Sequence, residues 1–137
     1  MTFEELDEKF PNGFDDAEVR LLTLDYRNRI ARIELYLRGN PPDSPGRDEY
    51  QAAVLVLNGF YYVVVEPPDV DHLWYPQRSI QVNGYPEDVS QFPLFGHLQK
   101  KLSDDAFCCR LYVHDWNSFI HIAAKDAQFS WVEASVR

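Results

Sequence analysis

Phe3, Leu6 and Phe10 recur at helical spacing behind a Thr2-x-x-Glu5 pattern, in which hydroxyl and carboxylate reciprocally satisfy the orphan backbone donors of a helix start. A short helix is predicted, stopped by Pro11-Asn12-Gly13. From Ala17 the period becomes two. Leu22 and Leu24 lead to a turn at Arg27-Asn28, after which Ala31, Ile33, Leu35 and Leu37 alternate with Arg32, Glu34, Tyr36 and Arg38, a hairpin with one core face. Gly39 to Asp48 contains three prolines and is predicted as a loop, because proline removes backbone donors and fixes φ.

Asn58-Gly59 can supply the positive φ angles of a type I′ turn, predicting a second hairpin between Ala52–Leu57 and Phe60–Val65. Both faces of that ribbon are apolar, so it is expected to be central and covered on each side by helices or a second sheet. A short strand is predicted at Ser79–Val82 and a second helix at Phe92–Leu102, from Leu94, Leu98 and Leu102 four residues apart. A third hairpin joins Phe107–His114 to Phe119–Ala124, and Phe129–Val132 supplies a last strand. The sum is one domain over residues 1–137, of the α+β class and mostly antiparallel β. Six or seven strands should form a meander of hairpins, with two short helices packed on the sheet.

Composition narrows the function classes. Hydrophobic residues at 45% and charged residues at 26% describe a folded chain, and a net charge of −9 repels nucleic-acid phosphates. No apolar run approaches the roughly 20 residues of a membrane helix, and from the acidic, amphipathic N-terminus no export signal is expected. The adjacent Cys108 and Cys109 point to opposite faces of a strand and read as buried small hydrophobes, so a reducing, cytoplasmic location is expected.

Candidate chemistry concentrates on the third hairpin. A turn pairing His114 with Phe119 puts Cys109, Leu111, Val113, Ile120, Ile122 and Ala124 on a core face. Arg110, Tyr112, His114, Phe119 and His121 then share the other, with His121 opposite Tyr112 and diagonal to His114. Two imidazoles, a phenol and a guanidinium could serve an anion, a metal or acid–base work. No carboxylate is expected on that face, so neither a metal nor a catalytic residue is assigned, and no cofactor is expected. Asp69-Val70-Asp71-His72 lacks the calcium-loop pattern and reads as a solvated acidic loop. Trp74, Tyr75, Tyr85 and Trp116 fall where turns should expose them, and aromatics of this kind anchor protein interfaces. The first eighteen residues hold seven carboxylates against Lys9, a negative patch able to steer a basic partner. Phosphate-binding glycine loops, nucleophile elbows and H-E-x-x-H are missing from the sequence.

Phe14-Asp15-Asp16-Ala17-Glu18-Val19, continuing through Leu24-Asp25 into the first hairpin, resembles the opening of small bacterial immunity-type and uncharacterised β-rich proteins. These often begin Phe-His-Asp-Ala before a hydrophobic strand ending in Asp, and here Asp15 stands at the histidine position. The likeness covers residues 14–38 and implies a small cytoplasmic binding protein that neutralises a basic, toxin-like partner.

The leading expectation is thus a non-enzymatic binding protein with an acidic and aromatic surface. Its candidate patch is Arg110, Tyr112, His114, Trp116, His121, Trp74 and Tyr75. One alternative is a small enzyme or a metal- or anion-binding protein using the His114/His121 face. Another is a homo-oligomeric structural subunit, such as a homodimer, held by a strand edge or aromatic patch.

Overall fold

The computed structural model describes residues 1–39, 49–71, 79–86, 97–98 and 100–132. Helix α1 (Phe3–Lys9) starts with the full capping box: the Glu5 amide donates to Thr2 Oγ1 and the Thr2 amide to Glu5 Oε2, each at 3.1 Å. Eight strands follow: β1 (Ala17–Asp25), β2 (Ile30–Arg38), β3 (Tyr50–Asn58), β4 (Tyr62–Val65), β5 (Ile80–Pro86), β6 (Phe107–Val113), β7 (Ser118–Ala124) and β8 (Asp126–Trp131). All pair antiparallel in one sheet, in the order β4-β7-β6-β5-β1-β2-β3-β8.

The first hairpin forms as its alternation dictates. Ala31, Ile33, Leu35 and Leu37 are buried, while Arg32 is exposed and Glu34, Tyr36 and Arg38 are half-buried. An irregularity between Val19 and Leu21 leaves Arg20 as the extra residue in β1, and its guanidinium lies over the Tyr36 ring and donates to Tyr36 Oη.

The predicted Asn58-Gly59 hairpin does not form. β3 pairs with β2 and β8, while β4 pairs with β7. Asn58 lies opposite Asp126 and Tyr62 opposite Ala123, so β3–β4 and β7–β8 are two bent ribbons running side by side through one corner. Gly59, at φ +65°, supplies the bend. Beyond it the Phe60 amide donates to the Arg29 carbonyl at 3.1 Å and the Tyr61 amide to the Ala123 carbonyl at 2.7 Å, bonds that a two-residue turn could not make. Both extremes of the strand order therefore continue covalently into strands within it, and the sheet curls around a single core.

The two apolar faces of the middle ribbon have a different origin from the one expected. Ala53, Leu55 and Leu57 are buried in the core, and Val54 on the outer face is also buried. That outer face is flanked cross-strand by Arg32, Glu34, Gln128 and Ser130.

α1 fills the side of the sheet between β8 and β5, contacting β5, β6 and β8. Phe3 stacks on Phe14 at 4.8 Å and Phe10 meets Phe129 at 4.6 Å. Burying Phe3 and Phe14 contributes about 2–3 kcal/mol each, which fixes the helix in place despite its length of two turns.

The architecture is thus mostly antiparallel β, with eight strands in place of six or seven; among the described residues α1 is the one full α-helix, and residues 97 and 98, within the second predicted helix, are also helical. Most of the predicted Phe92–Leu102 helix and of the Gly39–Asp48 loop lies outside those residues. The short strand predicted at Ser79–Val82 is the start of the longer β5. No helix among the described residues is long and apolar enough to cross a membrane.

Candidate functional site

The β6–β7 hairpin closes at Val113–Ser118, with a 3₁₀ turn over His114–Trp116 and Asn117 in the left-handed region. Asparagine tolerates that conformation, which is why the turn settles one residue earlier than expected. The register moves by two, so face membership survives but partners change: Arg110 lies opposite His121 and Tyr112 opposite Phe119. His121 is therefore not opposite Tyr112. His114 leaves the strand altogether and enters the turn.

On the outer face the Arg110 guanidinium lies 5.9 Å from the Tyr85 ring centroid and 5.0 Å from that of Phe119. The Tyr112 ring sits 5.1 Å from Phe119 and 5.3 Å from His114, and Phe119 sits 5.9 Å from His121. Rings thus separate the two histidines, and each has its own partner.

His121 is fully buried. Its Nε2 lies 3.2 Å from Glu66 Oε2, an acceptor that selects the tautomer carrying the proton at Nε2. Glu66 Oε1 also accepts the Phe119 amide at 2.8 Å, and the Glu66 amide donates to the Phe119 carbonyl at 3.0 Å. This carboxylate was not expected on the face. It arrives there because β4 pairs with β7, and nothing in the local sequence around Glu66 reports that pairing.

His114 Nε2 lies 3.0 Å from Asn83 Oδ1 and 3.8 Å from Asp16 Oδ1. Asn83 Oδ1 also accepts the Asp16 amide at 2.9 Å, and Asn83 Nδ2 donates to Tyr85 Oη at 3.3 Å. His114 thereby ties the β6–β7 turn to the chain entering β1. A second chain of bonds runs from Tyr112 Oη to Asn117 Oδ1 at 2.6 Å and from Asn117 Nδ2 to Asp69 Oδ2 at 3.0 Å. Asp69 orders the acidic loop: its Oδ1 accepts the Asp71 amide and its own amide donates to the Trp116 carbonyl. Trp116 is half-buried against the core rather than an exposed anchor, and Trp74 and Tyr75 lie outside the described residues.

None of four surface clefts of about 300–370 Å³ is lined by His114, His121 or Arg110. One of them, about 310 Å³, lies between β1 and β4 and brings Leu22, Val65, Trp116 and Ile120 together. Among the described residues no three His, Cys, Asp or Glu side chains converge as metal ligands. Cys109 is buried and Cys108 half-buried.

The acidic run divides into two roles. Asp7 Oδ1 accepts the Phe14 amide at 2.8 Å and Glu18 accepts the Ser79 hydroxyl at 3.3 Å, so these carboxylates build the fold. Glu4, Glu5, Glu8 and Asp15 are exposed on α1 and the segment leading into β1. Beside that segment, joined to it through Asn83, Tyr85 is 42% exposed.

Comparison with family models, with curated proteins and with solved structures finds no match to this chain.

Proposed function

We propose that this chain is a non-enzymatic binding protein that engages a basic protein partner, in the manner of an immunity protein. The observations that carry the reading are the exposure of Glu4 and Glu8 on α1 and of Asp15 before β1, and the exposed ring of Tyr85, which Asn83 ties to the segment at Asp16. Carboxylates on a net −9 surface accelerate encounter with a positively charged partner, and a tyrosine supplies rigid contact area at small entropic cost. The face first expected to bind contributes less. Arg110 is stacked between rings and His121 is buried, so that part of the patch serves as a support for Tyr85 rather than as the contact itself. Acid–base chemistry at the histidines has less support, because cooperating groups must reach one reacting atom and these two face different partners.

The test is a pull-down from native lysate with the wild-type chain and a Glu4→Lys/Glu8→Lys/Asp15→Lys variant of equal thermal stability. A protein of basic pI retained by the wild type, lost by the variant and released by about 0.5 M salt supports the reading, since salt screens exposed charges at that ionic strength. Identical captures by both proteins, or none by either, overturn it.

A further inference from the structure

The corner at Gly59 gathers positive charge from parts of the chain far apart in sequence. A cleft of about 300 Å³ there is lined by Arg29, Gly59, Phe60, Tyr61 and Lys125. Arg29 comes from the β1–β2 turn, Phe60 and Tyr61 from the chain between β3 and β4, and Lys125 is the single residue joining β7 to β8. The Arg29 carbonyl accepts the Phe60 amide, which anchors that turn to the bend, and the Lys125 amide donates to the Asn58 carbonyl at 3.0 Å. Backbone bonds therefore hold both cations at one opening.

Each cation is set against a ring. The Arg29 guanidinium carbon lies 5.9 Å from the Phe60 ring centroid, and Lys125 Nζ lies 5.8 Å from that of Tyr61. Lys125 passes directly over Gly59, where a Cβ would lie 3.1 Å from the lysine Cδ. Arg29 holds φ +56°, a left-handed conformation that arginine seldom adopts and asparagine tolerates. Among the described residues neither cation forms an ion pair. The carboxylates beside them are engaged elsewhere: Asp25 accepts from Asn28, and Asp126 holds the Met1 ammonium. Asp105 is kept below its ordinary pKa first by the Ser103 hydroxyl and least by the charge of Lys125. On a chain of net charge −9, this aromatic-floored cleft carries two cations with no carboxylate of their own.

We propose that this cleft binds a small aromatic carboxylate. Its carboxylate pairs with Arg29 and Lys125, and its ring lies against the guanidinium plane and the aromatic floor, where flat groups stack. Size and charge select this class of ligand. About 300 Å³ is the lower end of small-molecule sites, with room for one or two fused rings. Each further negative charge on a ligand meets the repulsion of the net −9 chain, so a monoanion is preferred to a phosphate dianion or a nucleotide. A hydrated inorganic anion gains nothing from Phe60 and Tyr61, whereas an arene removes carbon surface from water against them.

Titration of the isotope-labelled chain with naphthoate, followed by amide correlation NMR spectra, tests the assignment. Saturating shifts should centre on the amides of Gly59, Tyr61 and Lys125, with a Kd of about 0.1–1 mM, the affinity a ligand of this size supports. Naphthamide has the same shape without the charge, and should bind roughly twentyfold more weakly because both ion pairs are lost. Arg29→Asn keeps a residue suited to positive φ, and Lys125→Gln keeps most of the stem. Each should weaken naphthoate roughly fivefold, as loss of one exposed ion pair does, with thermal midpoints unchanged. Inorganic phosphate at about 10 mM and matched ionic strength should not saturate the same amides. The proposal is overturned by naphthoate shifts that do not saturate or that centre elsewhere, by equal affinity for naphthamide, or by phosphate binding the corner as tightly. Naphthoate binding that neither substitution weakens overturns it as well.

Discussion

Gly84 lies directly against the Phe3 ring of the N-terminal helix. A Cβ built there would lie 2.6 Å from Phe3 Cζ and 3.0 Å from Phe14 Cβ, closer than van der Waals radii permit. Gly84→Ala should therefore cost about 1–3 kcal/mol, the usual penalty for inserting a methyl group into a filled core. Each kcal/mol lowers Tm by on the order of 4 °C in a domain of this size. Differential scanning calorimetry reads the shift, and Phe3→Leu in the same chain should recover part of it if the ring is the obstacle. At this scale the sequence reported core membership well and partnership poorly. Leu35, Leu37, Leu111 and Ile122 were all placed on buried faces by alternation alone, and all are buried. Glu66 was invisible as the partner of His121, because a contact between residues 55 positions apart depends on which strands become neighbours.

Local turns behave as isolated physical units, and the β1–β2 turn shows this most clearly. Asp25 accepts the Asn28 amide at 3.0 Å and the Asn28 side-chain amide at 2.8 Å, which holds its carboxyl below the ordinary aspartate value. A lowered folded-state pKa stabilises the fold above the unfolded-state value, and that contribution is lost as pH falls through the folded-state value. Tm of the wild type should accordingly decline on the acid side more than that of Asp25→Asn, which carries no titrating group at this position. Equal slopes for the two proteins between pH 5 and about pH 2.5 would show that the turn does not feel the carboxylate's charge. Elements whose determinants are local were legible in the same way: the capping box of α1, the stop at Pro11 and the first hairpin all stand where the pattern put them. Asn58-Gly59 was not. The same dipeptide serves a tight turn or a corner, and the choice is made by Phe60, buried at the corner with its amide bonded to Arg29, and by the competing offer of β8 as a partner for β3.

Closure of the whole molecule rests on pairings far apart in the chain: β3 with β8, and β4 with β7. The candidate surfaces inherit this dependence. The carboxylates of α1 are held in place by a helix seated against β5, β6 and β8. Removing residues 126–137 should abolish the cooperative thermal transition altogether, because it strips β3 of its neighbour and takes Ala127 and Phe129 from the core. Circular dichroism against temperature distinguishes that result from the modest Tm shift a peripheral strand would give. Function was the least legible level, since an acidic surface and a tyrosine are general-purpose binding features.

The bent ribbons also set an order of events during synthesis. β1, β2 and β3 are consecutive and pair as consecutive neighbours, so this meander can assemble while the ribosome is still translating. One flank of β3 then has to wait for β8, encoded far downstream, leaving the backbone groups of that flank unpaired in the crowded surroundings of the exit tunnel. Nascent chains halted or truncated in that interval present an unfinished margin, and such margins are where misassembly and chaperone capture begin.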